Sequence, residues 1–166
     1  GVLRESGIYA KGKRNSTFTE YYQDGVTPRK ETPMQQGKID GTVKTYFRNG
    51  KIEAEKEYKQ SVESGRERRF DSKTGEQIFE SHYIDGKKDG EEWEIFEDAS
   101  TLRSRIIRHY RNGKLDGSYR VESTRDGKPY ITIEGQYTDG EKSGQWIEHN
   151  YDNNTQTCTW HGEGGA

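Results

Sequence analysis

Cysteine, methionine and proline are nearly missing from this chain, which has one, one and three of them in 166 residues. The single cysteine, Cys158, excludes a disulfide within the chain, so no covalent staple holds the fold. The same count leaves the compartment open. Gly1 stands where a methionine start would, so a removed targeting segment and an extracytoplasmic location are as open as a cytoplasmic one. No apolar run approaches the roughly 20 residues of a membrane-spanning helix. The net charge of −2 supplies no cationic field, so nucleic acid is not an expected partner. Apolar residues reach only 27% against 34% charged, a balance that by itself describes a disordered chain. Rings are what the chain does have: 11 Tyr, five Phe and three Trp. Each can bury about 150–250 Å², enough for a thin aromatic core.

A period argues for order. Ser16, Gly41, Gly65, Gly90, Gly117 and Gly144 follow one another at 25, 24, 25, 27 and 27 residues. Four of them close the spacing Gly-x-x-x-Gly, at 37–41, 86–90, 113–117 and 140–144; Ser16 and Ser61 replace a glycine in two further copies. Nine Asx-Gly dipeptides punctuate the chain, at 24–25, 40–41, 49–50, 85–86, 89–90, 112–113, 116–117, 126–127 and 139–140. Asx-Gly supplies the positive φ values that a two-residue hairpin turn needs. Short aromatic and β-branched runs between such turns predict successive hairpins. The best helical window, 94–107, is read as two strands around a turn at 98–101. The expected fold is all-β, an elongated solenoid of about six tandem antiparallel β-hairpin repeats.

What recurs predicts the buried face. Phe18, Val43, Tyr119 and Trp146 stand two residues after an anchor, and Trp93 is assigned there after a one-residue insertion. Tyr21, Tyr46, Phe70 and Phe96 follow further along. Three residues before the position that opens the next such spacing (Gly12, Gly37, Ser61, Gly86, Gly113 and Gly140) stand Tyr9, Met34, Tyr58, Tyr83, Tyr110 and Tyr137. Stacked copies would turn these columns into ladders. The chain is expected to be one repeat domain over 1–166. An incomplete repeat covers 1–15, repeats start near 16, 41, 65, 90 and 117, a degenerate one covers 144–161, and the tail 162–166 should fray.

A Gly, an aromatic two or three residues on, then Tyr-x-x-Asn-Gly and Tyr-x-x-Gly-x-x-x-Gly together resemble the MORN repeat in its bacterial variant form. The match runs over about 7–161 and is clearest at 41–58 and 90–117. The resemblance implies a ribbon of antiparallel hairpins with a binding or scaffolding role. Bacterial relatives are often taken as antitoxins; eukaryotic ones are linked to phospholipid binding or self-association. It implies no shared catalytic residues. The 24-to-27 pitch, Ser16 and Ser61 depart from the tighter eukaryotic pattern.

The candidate contact residues are basic. Arg103, Arg105 and Arg108, continued by Arg111 and Lys114, form one run, and Arg66, Arg68 and Arg69 a second. Alternation could place Arg103 and Arg105 on one face for an anion or acidic partner, against the reading of a solvated, aggregation-blunting surface. Trp93 and Trp146 are assigned to the core, and Trp160, near the end, to a half-exposed partner anchor. His82 and His109 each precede a column Tyr, but Glu57 and Gln136 match them in the flanking copies. Two histidines fall short of the three or four ligands zinc takes, so a solvent-facing ladder is expected and no metal. Glu91, Glu92 and Glu94 are placed on an outer face, where carboxylates do not become acid–base catalysts. No nucleophile elbow, phosphate loop or metalloprotease helix is present, so no catalytic residue and no cofactor is expected. The expected function is a non-enzymatic repeat scaffold binding another protein through an extended β-sheet face, antitoxin-like or self-associating through its end strands. The alternative is an anionic-lipid or membrane-surface module resting on the arginines. A hydrolase using the 91–94 region is the third.

Overall fold

The computed structural model describes residues 1–97, 103–125, 127–150 and 154–162, with only the backbone of Arg125. The turn read at 98–101 lies outside them, as does the tail beyond Gly162. Every regular element among the described residues is a β-strand. The chain divides into two compact units, Gly1–Lys87 and Lys88–Ala166.

The first unit holds β1 (Glu5–Ser6), β2 (Tyr9–Ala10), β3 (Lys13–Arg14), β4 (Thr17–Tyr21), β5 (Pro28–Gln35), β6 (Lys38–Ile39), β7 (Gly41–Tyr46), β8 (Ile52–Lys59), β9 (Val62–Phe70) and β10 (Gln77–Ile84). Its sheet runs β1-β4-β5-β7-β8-β9-β10, with β6 on β5 and β2-β3 as a separate ribbon. A short β11 (Lys87–Lys88) falls at the unit boundary. The second unit holds β12 (Gly90–Glu97), β13 (Arg103–Arg111), β14 (Lys114–Arg125), β15 (Lys128–Thr138), β16 (Glu141–Asn150) and β17 (Thr155–His161), paired antiparallel in chain order. The 94–107 window is thus two antiparallel strands, as its poor helical periodicity predicts, with Trp93 opposite Ile107 and Glu97 opposite Arg103.

The turns recur. Gln36-Gly37, Asp85-Gly86, Asn112-Gly113 and Asp139-Gly140 all take positive φ at both residues. Each glycine amide then donates to a strand carbonyl just past the preceding turn: Gly37 to Arg14 at 2.9 Å, and Gly86 to Glu63, Gly113 to Lys88 and Gly140 to Leu115 at 2.8 Å. The Asx before an anchor adds a second rung, Asn15 accepting from the Gln36 amide at 3.0 Å and Asp89 from the Asn112 amide at 2.9 Å. Ser61 fills a glycine place at φ +71 and accepts the Ile39 amide on its hydroxyl at 3.0 Å. That bond offsets the strain of a side chain in the left-handed region. At Gly117 (φ +119) no such exchange is open, because a Cβ would lie 3.0 Å from that of His109.

Counted without any insertion, the position two after each anchor reads Phe18, Val43, Glu67, Glu92, Tyr119, Trp146. This is the buried column. Phe18, Val43 and Trp146 are buried, but so are the carboxylates Glu67 and Glu92, the latter only 1% exposed. The assignment of Trp93 to this column is corrected here: strand alternation puts it on the opposite face, half-buried under Arg105. The outer-face assignment of Glu92 is corrected with it; Glu91, one residue earlier, does lie exposed. The column tyrosines meet these residues. Tyr9 packs edge-on to Phe18 and Tyr137 edge-on to Trp146, while Tyr83 donates to Glu67 at 3.0 Å. Tyr110 reaches Glu92 at 3.4 Å. We call this side of each sheet the ring face and the other the open face.

Candidate functional site

Cross-strand register builds the open face of the second unit. Trp93, Ile107, Arg120, Glu134, Ile147 and Cys158 stand opposite one another in a row that crosses all six strands from β12 to β17. Residues paired in this way share a face, with Cβ atoms about 4.5–5.5 Å apart. A depression of about 490 Å³ takes in Ile107, Arg120, Glu134 and Ile147 of this row and is lined also by Glu91, His109, Ser118, Gln136 and Gln145. Its side chains hold one another. The Ser118 hydroxyl and His109 Nδ1 are 2.9 Å apart, and His109 Nε2 is 3.6 Å from Glu91. His149 Nε2 lies 3.0 Å from Glu134, and its Nδ1 3.3 Å from the Gln156 amide. Arg105 stacks on the Trp93 indole at 4.4 Å, which accounts for its Nε, buried without a hydrogen-bond acceptor.

A Ser–His–Glu order invites comparison with an acyl-transfer relay. The side chains of His109 and Glu91 are 37% and 49% exposed, however, so water competes for every bond in it. Such relays act where water is excluded and donors converge on a developing oxyanion. What this face can do is present a lattice of pre-ordered donors, acceptors and short apolar steps. Among the described residues no group of three or more His, Cys, Asp and Glu is placed to hold a metal ion.

The predicted basic residues are scattered over both faces and largely matched. In the first unit Arg68 pairs with Glu55 at 2.8 Å and Arg66 with Glu57 at 3.9 Å, on the open face. There Glu31, Lys44, Glu55, Arg68 and Glu80 stand opposite one another with alternating charge. Arg69 lies on the ring face, 2.9 Å from Glu67 and stacked on Phe79 at 3.9 Å. In the second unit Arg103 and Arg105 share the open face, on the side of Ile95 and Trp93. Arg108 is on the ring face, 3.5 Å from Glu92 and bonded to Glu94. Trp160 is 59% exposed on β17. His82 lies 3.7 Å from Glu80. Sequence reasoning missed the buried carboxylates and their lysines, Lys56 with Glu67 and Lys88 with Glu92. The signal was there in the count from the anchor, and the expectation that rings fill a core hid it.

The Glu67 cluster carries a pH signature. Burial alone would raise this carboxyl, but hydrogen bonds from Lys56, Arg69 and Tyr83 outweigh it and hold it below the ordinary 4.5. Burial, with the Glu67 charge, pushes the Tyr83 phenol up to about 12. Tyr46, half-buried and donating to Glu31 at 2.6 Å, is pushed up to about 12 as well. The signs are opposite. A depressed acid stabilises the fold above its unfolded value, and that stability is lost as pH falls below 4.5 toward the folded value. A phenol raised from 10.0 stabilises it below 10, and that share is lost as pH rises from 10 to about 12. Urea midpoints followed by far-UV circular dichroism should therefore fall on both sides of a plateau, and Glu67→Gln should shrink the acid limb. A midpoint flat from pH 5 down to pH 3 would contradict the assignment.

The chain matches no protein-family model and no curated protein.

Proposed function

We propose that this chain is a non-enzymatic repeat scaffold of the MORN type, a solenoid of hairpins, which binds another protein through the open face of its second unit. The observation that carries this reading is the cross-strand row from Trp93 to Cys158 with the open depression that it helps to line. Six strands about 4.8 Å apart and some eight residues long offer a face of roughly 24 by 26 Å. That approaches the roughly 800 Å² that each partner contributes to a standard protein interface. The side chains are already tied to one another, so docking would order few of them, which favours affinity. A small ligand would be poorly enclosed here, whereas small-molecule sites bury most of their ligand. Ion pairing of Arg66, Arg68, Arg69 and Arg108 weighs against the anionic-lipid alternative, since charges matched within the sheet draw little from a membrane surface.

The test is comparative co-purification from extract of the source cells. Ser118→Arg with Gln145→Arg places two bulky cations at exposed rim positions without touching the ring face. The wild-type chain is expected to retain a stoichiometric partner that this double variant loses and Arg66→Ala keeps. Identical retained proteins for all three would remove the open face from consideration.

A further inference from the structure

Among the described residues most guanidinium groups are met by a carboxylate, and Arg105 is stacked on Trp93 instead. Arg14, Arg29, Arg66, Arg68, Arg69, Arg108, Arg111 and Arg120 each pair with Glu or Asp. Arg4 and Arg48 make no ion pair with any described residue, and both line one open depression of about 630 Å³ in the first unit. Two acids also line it, and both are already engaged. Glu5 receives Arg14 NH2 on both carboxylate oxygens, at 2.8 and 3.1 Å, and Glu20 bonds Arg29. Asp24, the acid that feels the charge of Arg48, spends its carboxylate on the amides of Val26 and Thr27, each 2.9 Å away. The walls of the depression also include Tyr21 and Tyr22, whose hydroxyls are tied back to Ser6 at 3.1 Å and to the Tyr46 carbonyl at 2.5 Å.

We propose that this open, cationic depression binds a small ligand carrying two or more carboxylates. Three arginines against two engaged glutamates leave it cationic, in a chain whose net charge is −2. Two unspent forks call for two oxyanion groups, because a guanidinium presents paired donors that fit one planar oxyanion each. Carboxylate is the class this fold already matches to arginine, as the Arg14–Glu5 contact shows. The tethered tyrosine rings give the depression fixed, partly apolar walls between the charges. The site is in the other unit from the proposed protein-binding face, so either can fail without the other.

The experiment is a titration followed by amide and arginine side-chain NMR signals, with citrate, inorganic phosphate and chloride as separate probes at constant ionic strength. Citrate should shift Arg4, Arg48, Tyr21 and Tyr22 signals saturably. Arg4→Gln and Arg48→Gln should each weaken it about tenfold, the worth of one charge-assisted hydrogen-bond pair. Arg120→Gln, paired with Glu122 in the second unit, should leave it unchanged. Absence of saturation with citrate, or binding that survives Arg4→Gln with Arg48→Gln, overturns the site. Phosphate binding more tightly than citrate overturns the carboxylate assignment.

Discussion

Glu92→Ala is expected to cost the second unit about 3 kcal/mol, the lower part of the range for breaking a buried ion pair. Glu92 is 1% exposed and takes Lys88, Arg108 and Tyr110 on its two oxygens. Its removal strands charge in a place closed to water. The cost stays at the low end because Arg108 keeps Glu94 and Lys88 has a stem long enough to carry its ammonium outward. All three tryptophans, Trp93, Trp146 and Trp160, belong to the second unit, so indole fluorescence follows its unfolding. For a unit of this size the transition should fall by 10 °C or more, at about 4–8 °C per kcal/mol. Glu91→Ala is the control. Its carboxylate sits one residue away on the open face, half exposed and 3.6 Å from His109, and should change stability by no more than about 0.5 kcal/mol. Equal losses at the two positions would contradict the alternation that buries one and exposes the other.

That pair of neighbours shows where the fold was legible and where it was not. Turn chemistry could be read because it is local. Asp-Gly and Asn-Gly demand positive φ, and Asp85-Gly86, Asn112-Gly113 and Asp139-Gly140 adopt it. The strand pair around 98–101 could be read because no helical stripe competes with it. The phase of the buried face could be read only where an apolar residue marks it. At Phe18, Val43 and Trp146 it does. At Glu67 and Glu92 the column is filled by a carboxylate neutralised mainly across the hairpin from the adjacent strand, and only the pairing of Lys56 and Arg108 opposite them reveals it. Composition draws such residues to the surface in any reading, so Trp93 was assigned the place that Glu92 holds. The basic runs failed for a related reason. A run of arginines reads as a patch, yet Arg68, Arg69 and Arg108 each face a glutamate on a neighbouring strand or two residues away. Arg4 and Arg48 are 44 residues apart and belong to no run, so only the sheet brings them to one depression.

Gly135→Ala is expected to destabilise the second unit by about 3 kcal/mol, the top of the usual range for forcing volume into a packed site. Gly135 lies opposite Tyr119 on the ring face and beneath the Trp146 ring. A Cβ built there would sit 2.3–2.7 Å from three atoms of that ring, closer than van der Waals contact allows. The ring has nowhere to retreat. Tyr119 and Tyr137 each hold it at a centroid separation of 5.2 Å, Lys142 lies over it at 4.1 Å, and its Nε1 donates to the Gln136 carbonyl at 3.1 Å. Tilting the indole would break that bond and open the ring stack together, so the strain cannot relax through one soft torsion. The measurement is a double-mutant cycle read by thermal unfolding. Trp146→Leu alone removes ring contacts and is costly; combined with Gly135→Ala it should cost less than the two single losses added, because the second methyl then meets a smaller side chain. Strict additivity would mean that glycine at 135 is required by the backbone and that the indole does not rest on it.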